Sequence, residues 1–439
     1  MTLIIKILQL ILSLSLIVVV HEFGHYFFAR IFKIRVEKFY LFFPPAIFKF
    51  KPKKSDTEFG IGSIPLGGFC KISGMIDESM DKESLAQPPQ PWELRSRPAW
   101  QKFFVFIGGV LMNVISAIII YIGILFTWGE QYIKTSDAAY GIQTNELSNE
   151  IGFRDGDKLL AFDSEPVPEN FADLQIQLVR NQVQNAVVLR DGDTIDISID
   201  QDYLPAMLNT PGMFMLRTPI AVGSLPDTSI NAGSGLLPGD KLLTVAGDRA
   251  SFFKDLQNVL GKHKGKTVPL TVMRGKDTLT FPVKVGDDGK IGILLQADIS
   301  GIQVTERDYS LIQAIPAGFK QTFSSIGGYV KELGLIFSPK TEAYKSVGSF
   351  ITIGSIFPSV WNWQIFWNIT ALLCIMLAVL NILPIPALDG GHLLFCIYEM
   401  ITGKKPSDRF MEVAQMIGMF ILLLLMILAF GNDIIRLFN

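Results

Sequence analysis

The sequence predicts a multi-domain membrane protein. An α-helical four-span core carries a membrane-associated β-hairpin region, and two small α/β modules are inserted between the second and third spans. Three observations lead there. The 439 residues are 49% hydrophobic with mean hydropathy +0.36, too apolar for a soluble chain and too long for one domain. Four apolar runs of membrane length lie toward the two ends, at 3–28, 103–128, 365–383 and 413–430. The polar middle has no such run and contains one pattern twice.

From Leu3 to Val20 the first run holds apolar or small polar residues broken only by Lys6 and Gln9, and it closes in His21-Glu22-Phe23-Gly24-His25. Histidines four apart on a helix share one face, with Glu22 beside them. Two imidazoles so placed suit zinc, and the neighbouring carboxylate suits a base acting on a water at the ion. Ionisable side chains at the end of a spanning segment cost several kcal/mol, roughly, unless paired or bound, so they read as functional. Only 4 histidines occur in the chain and two fall here, which argues against chance. No small-residue exit site follows the run, so it is expected to be retained rather than cleaved as a signal. The 3 cysteines, Cys70, Cys374 and Cys396, have no metal-site spacing and imply no disulfide framework. A net charge of -2 gives no reason to expect nucleic acid.

Arg30, Lys33, Arg35, Lys38, Lys49, Lys51, Lys53 and Lys54 follow the first span and place that side in the cytoplasm by the positive-inside rule. Gly60 to Ile72, glycine-rich and apolar, is expected to form a hairpin over 58–74. It either packs on the helices or dips into the membrane, where an open edge could pair with an extended substrate and Gly67 and Gly68 would touch it. A polar, proline-containing stretch runs from Asp77 to Arg97. The second span then contains Gly108-Gly109, expected to allow close helix packing, and Asn113, a buried amide in need of partners and a candidate substrate contact.

In the middle, Gly152-Phe153-Arg154-Asp155-Gly156-Asp157-Lys158-Leu159-Leu160 recurs as Gly235-Leu236-Leu237-Pro238-Gly239-Asp240-Lys241-Leu242-Leu243. Val188-Leu189-Arg190-Asp191-Gly192-Asp193-Thr194 likewise returns as Val272-Met273-Arg274-Gly275-Lys276-Asp277-Thr278. In each copy a Gly-Asp turn leads into an apolar strand, an amphipathic helix follows (Phe171 to Arg180; Phe252 to His263), and a hairpin closes the module. These stretches, 129–218 and 219–306, resemble the permuted bacterial form of the PDZ domain. Such modules take peptide segments by strand addition. The alternative is a steric cap without peptide affinity, since fold does not fix function.

Residues 307–360 read as amphipathic helices and linker. The second half of the membrane core, 361–439, holds the last two spans. Lys404, Lys405 and Arg409 between them also mark the inside, which puts the paired modules outside. The third span runs into Asn381-Ile382-Leu383-Pro384-Ile385-Pro386-Ala387-Leu388-Asp389-Gly390-Gly391-His392. Asp389 falls at the depth of His21 and His25 and could supply the third ligand a catalytic zinc needs. Its alternative role is to cap a helix end.

Together, His-Glu-Phe-Gly-His and Asn-x-x-Pro-x-Pro-x-Leu-Asp-Gly-Gly resemble the site-2 protease family of intramembrane zinc metalloproteases. The tandem PDZ-like modules resemble its bacterial RseP group, and the likeness covers essentially the whole chain. It implies zinc bound by His21, His25 and Asp389, Glu22 as catalytic base, and Asn381 holding substrate. It also implies a multi-pass protein of the bacterial inner membrane, with its active site toward the cytoplasm and the modules on the periplasmic or extracellular side. Expected partners are the lipid bilayer, peptide segments at the modules, and membrane-spanning substrates such as anti-sigma factors or remnant signal peptides. The family's second span usually reads Gly-Pro-x-x-Asn, whereas here Val110 replaces the proline. His392 is not a family ligand and is expected either to support a ligand from behind or to be structural. Two other readings compete. A non-catalytic PDZ-bearing scaffold with a structural zinc has no use for Glu22, and a metal transporter needs ionisable residues continuing across the outer halves of the spans, where Lys6 stands alone.

Overall fold

The computed structural model describes residues 2–75, 88–338 and 341–438. They divide into two compact units, one formed by Met1–Glu130 with Arg307–Asn439 and the other by Gln131–Glu306.

In the first unit, four helices among the described residues are long and apolar enough to cross a membrane: Thr2–Ile31, Ala99–Trp128, Trp363–Ile382 and Arg409–Arg436. Three of the four continue past the apolar runs by several residues, because a helix satisfies its own backbone beyond the hydrocarbon as well as within it. Ala99–Trp128 lies at the centre and packs against the first and third spans and against helix Leu311–Ile336. Apolar residues wrap this junction, with Ile17, Ala117, Tyr121, Phe366, Cys374 and Ile375 all buried. Ser13 Oγ and Thr370 Oγ1, 3.0 Å apart, give the first and third spans a buried polar tie. The first and last spans turn large apolar side chains outward, among them Leu8, Leu12, Phe420, Leu424 and Ile427, as expected where lipid is the solvent.

A correction concerns the hairpin. Its two arms are Val36–Phe50 and Glu58–Ile72, so the stretch expected to fold on itself supplies one arm, and the basic segment before it supplies the other. Val36 stands opposite Ile72 and Phe50 opposite Phe59, and the register breaks repeatedly between them, so that Phe39 lies beside both Cys70 and Phe59. Stacked rings hold the doubled ribbon together, Tyr40 on Phe69 at 5.1 Å and Phe50 on Phe59 at 5.6 Å. Much of the polar stretch from Asp77 to Arg97 lies outside the described residues.

The third span stops at Ile382, as the two prolines lead one to expect, and the chain makes a tight loop and begins a separate helix, Asp389–Thr402, where the sequence reading placed only a connecting loop. Pro384 and Pro386 lack the amide hydrogen a helix needs and push the residue before each out of helical geometry. Gly390 and Gly391 are needed next: a side chain on the first would overlap Leu383 O, and on the second would lie 2.6 Å from Pro386 Cα. Short helix Phe350–Ile356 is held from the last span, where Asp433 accepts hydrogen bonds from Ser349 and Thr352.

In the second unit the repeated sequence gives repeated structure. Lys158–Phe162 and Asn185–Arg190 pair in a four-stranded sheet with Asp193–Ser198 and the short Glu165–Pro166. Lys241–Val245 pairs with Thr267–Arg274, which pairs with Asp277–Lys284, in a six-stranded sheet that ends at Leu294–Ala297. Each Gly-Asp turn is locked identically. Asp157 receives Arg190 Nε and Nη2 at 2.7 and 2.8 Å while accepting from Arg154 N, and Asp240 receives Arg274 Nε and Nη2, both at 2.7 Å, while accepting from Leu237 N. The second expected helix forms as Phe253–Lys262, and the first is split into a tight turn, Phe171–Asp173, and helix Leu174–Arg180.

Candidate active site

Close backbone approach sets the site. Gly24 of the first span meets Gly108 of the second, where a methyl on Gly108 would lie 2.5 Å from Gly24 O. That contact lowers the second span onto both histidines. Val105 O accepts from His25 Nδ1 at 2.8 Å, and the Asn113 amide stands 3.2 Å from His21 Nδ1. Because a carbonyl can only accept, Nδ1 of His25 carries the ring hydrogen of the neutral imidazole, leaving the Nε2 lone pair for another task.

That lone pair faces the third group. Asp389 Oδ2 is 3.2 Å from His21 Nε2 and 3.4 Å from His25 Nε2, and the two Nε2 atoms are 3.2 Å apart. Oδ2 is buried and receives no hydrogen bond. The capping alternative for Asp389 therefore fails at this oxygen. An imidazole lone pair and an unpartnered carboxylate oxygen converging in a buried place repel unless a cation sits among them. Ligands of a tetrahedral zinc with bonds near 2.0–2.1 Å are separated by about 3.3 Å, so the residues present fit this ion.

The cluster opens on a cavity of about 750 Å³ lined by His21, Glu22, His25, Gly67, Gly68, Asn381 and Asp389. Seven of the eight residues singled out from the sequence thus border one space. Asn113, the eighth, is fully buried behind His21 and does not border it. Gly68 runs close to the first span, since a methyl there would lie 2.6 Å from Val18 Cγ1 and 3.6 Å from Glu22 Cγ. His392 stacks on Phe106 with ring centroids 4.7 Å apart. The partly buried pair Lys102–Glu399, 2.9 Å, ties the Asp389 helix to the second span. Two contributors were not legible beforehand, the Val105 carbonyl and the cavity-lining Cys70. A carbonyl has no sequence signature, and Cys70 faces the cavity only because its arm of the hairpin does.

Spanning helices that enclose two histidines and an aspartate with a glutamate alongside define a membrane zinc metalloprotease of the site-2 type. The family model described as Peptidase family M50 matches residues 9–425, and the chain belongs to that family. A protein of Xylella fastidiosa named "Putative zinc metalloprotease" is 29% identical over 97% of this chain and 98% of its own length. Similar proteins carrying that description occur in Neisseria meningitidis, 28% identical over 98% of this chain and 99% of the relative, and in Treponema pallidum, 26% identical over 99% and 100%.

Proposed function

We propose that this protease hydrolyses peptide bonds within, or near the end of, the membrane-spanning segments of other proteins, with zinc held by His21, His25 and Asp389. The observation that supports this best is the convergence of three donor atoms, one of them an unpartnered carboxylate oxygen, at the edge of a cavity walled by spanning helices. Bound there, zinc supplies a Lewis acid for the scissile carbonyl and brings the pKa of a water down to about 7. Glu22 takes the proton of the attacking water and delivers it to the leaving amine. The Val105 carbonyl holds the His25 ring in one orientation throughout.

A peptide bond inside a helix is shielded by its own hydrogen bonds and side chains, so substrate must be extended before attack. The arm Glu58–Ile72 offers it an edge: residues 67–72 line the cavity, and Gly68 lies beside Glu22. Backbone pairing there would draw the scissile segment past the base. Asn381, on the facing wall, offers an amide to the substrate backbone. The protein resides in the bacterial inner membrane with the active site toward the cytoplasm, the side marked by the lysine-rich hairpin and the basic loop before the last span. Residues 129–306 form two PDZ-like modules on the other side, which take peptide segments or exclude substrates with bulky external domains. Such a filter suits membrane-anchored regulators of the anti-sigma type already shortened by another protease, and remnant signal peptides.

Glu22→Gln decides the catalytic role. The variant retains zinc and loses cleavage of a model single-span substrate by at least 10²-fold, in line with losing a general base. Unchanged cleavage would dismiss the proposal in favour of a scaffold with a structural metal. Metal content of His21→Ala and Asp389→Ala tests the ligands separately.

A further inference from the structure

We propose that Asn113 is a positioning residue for His21, its amide oxygen accepting the hydrogen on Nδ1 so that Nε2 keeps a lone pair for the metal. The inference rests on the reading that His21 is a zinc ligand. Asn113 has no exposed surface, lies 92 positions along the chain from His21, and stands with the amide atom assigned as Nδ2 3.2 Å from His21 Nδ1. The two ends of an amide have the same shape, so which end faces the ring is decided by chemistry. With the nitrogen toward the ring, His21 Nδ1 accepts and the ring hydrogen falls on Nε2, which points at His25 Nε2 3.2 Å away and at Asp389. That hydrogen occupies the place of the metal. With the oxygen toward the ring, Nδ1 donates and Nε2 is free to bind.

The two histidines are then held by equivalent means, His25 by the Val105 carbonyl and His21 by a side-chain carbonyl from two turns further along the same helix. Val105 O lies inside the helix and takes the His25 hydrogen on its second lone pair. At the level of His21 the group the second span presents is the Asn113 side chain. Asn113 accordingly does not border the cavity, and its work is done through the histidine.

The test is zinc affinity of the detergent-purified full-length protein, measured by competition with a chelator, together with the visible absorption spectrum of the cobalt form. Asn113→Asp keeps an acceptor of the same shape, and Asn113→Leu keeps the volume without one. The Leu variant is expected to bind zinc 10- to 100-fold more weakly, the usual effect of removing a group that orients a ligand. The Asp variant is expected to stay within about threefold of the parent and to keep its cobalt spectrum. A packing role predicts the reverse order, because leucine suits an apolar helix interface and a buried carboxylate does not. Parent-like affinity in the Leu variant, or an equal loss in both, overturns the proposal. Thermal unfolding without zinc shows whether each variant is folded. If the Leu protein is not, a tenfold or larger loss in folded Asp protein overturns the proposal by itself, and retained affinity supports it. His21→Ala is measured alongside: zinc retained there would refute the underlying ligand assignment, whereas zinc lost there but kept in Asn113→Leu would refute only the role given to Asn113.

Discussion

Gly109→Ala adds one methyl group at the point where the second span lies under both proposed ligands. That methyl would be 2.5 Å from His21 Cε1, 2.6 Å from His25 Nε2 and 2.7 Å from His21 Nδ1, whereas ordinary contact begins at 3.4 Å. Either the rings or the helix must yield by about 0.9 Å. Neither ring can tilt freely, since each is held at Nδ1 by the same helix that carries the methyl. Metal donors tolerate displacements of about 0.2 Å, and a misplacement near 1 Å at a reacting centre costs roughly 10²-fold in rate, equivalent to about 2.7 kcal/mol of barrier. We therefore expect cleavage of a single-span substrate in proteoliposomes to fall about 100-fold. Zinc affinity should fall at least tenfold, and overpacking should cost the fold only about 1–3 kcal/mol. Gly123→Ala is the control, on the same helix with nothing within 4 Å of the added methyl. If the two variants bind zinc and cleave alike, the geometry assigned to the Gly109 contact is wrong.

Other outcomes follow from the same geometry. Gly68→Ala pushes the hairpin arm away from Val18 and Tyr40 without touching a proposed ligand, so zinc content should stay at the parent value while KM for a spanning substrate rises severalfold; a drop in zinc content instead would contradict the substrate-edge role. On the last span, Gly418→Ala would overlap Pro386 O, displacing the loop that ends at Asp389, and metal analysis should find zinc lost from a protein altered far from either histidine. Arg190→Leu leaves the fully buried Asp157 carboxylate without its cation, at a cost of about 3–5 kcal/mol, read as faster hydrogen exchange along Lys158–Phe162 in the full-length protein. The Arg274 guanidinium hydrogen-bonded to Asp240 holds that carboxyl below its ordinary value. Since its folded value lies below its unfolded value, the pair's contribution is complete above about pH 4 and is lost as pH falls through the lowered value. Exchange along Lys241–Val245 should accelerate in that acidic range, and in Arg274→Leu the acid dependence should largely vanish.

Much of this architecture is legible in the amino-acid sequence, for reasons that differ by region. His21 and His25 declare themselves because helical periodicity is a local signal, and four residues is one turn. The duplicated Gly-Asp turns were equally plain, although the arginines that lock them, Arg190 and Arg274, stood inside the second repeated motif without their partners being evident. Val36–Phe50 was hidden: Lys38, Lys49 and the pair Pro44-Pro45 break its alternation, and its pairing partner is chosen by a tertiary contact. Helix Asp389–Thr402 was masked by its nearness to the third span, with only the two prolines to announce a break. For Asn113 the sequence shows a polar residue in an apolar helix and nothing more, because the ring it touches belongs to a segment 92 residues away.

On the ligand set proposed above, two of the three metal donors lie within the first 25 residues and the last at position 389. A ribosome therefore commits both imidazoles to the bilayer long before the carboxylate exists, and must first make all of Gln131–Glu306. Truncated or stalled chains are silent by construction.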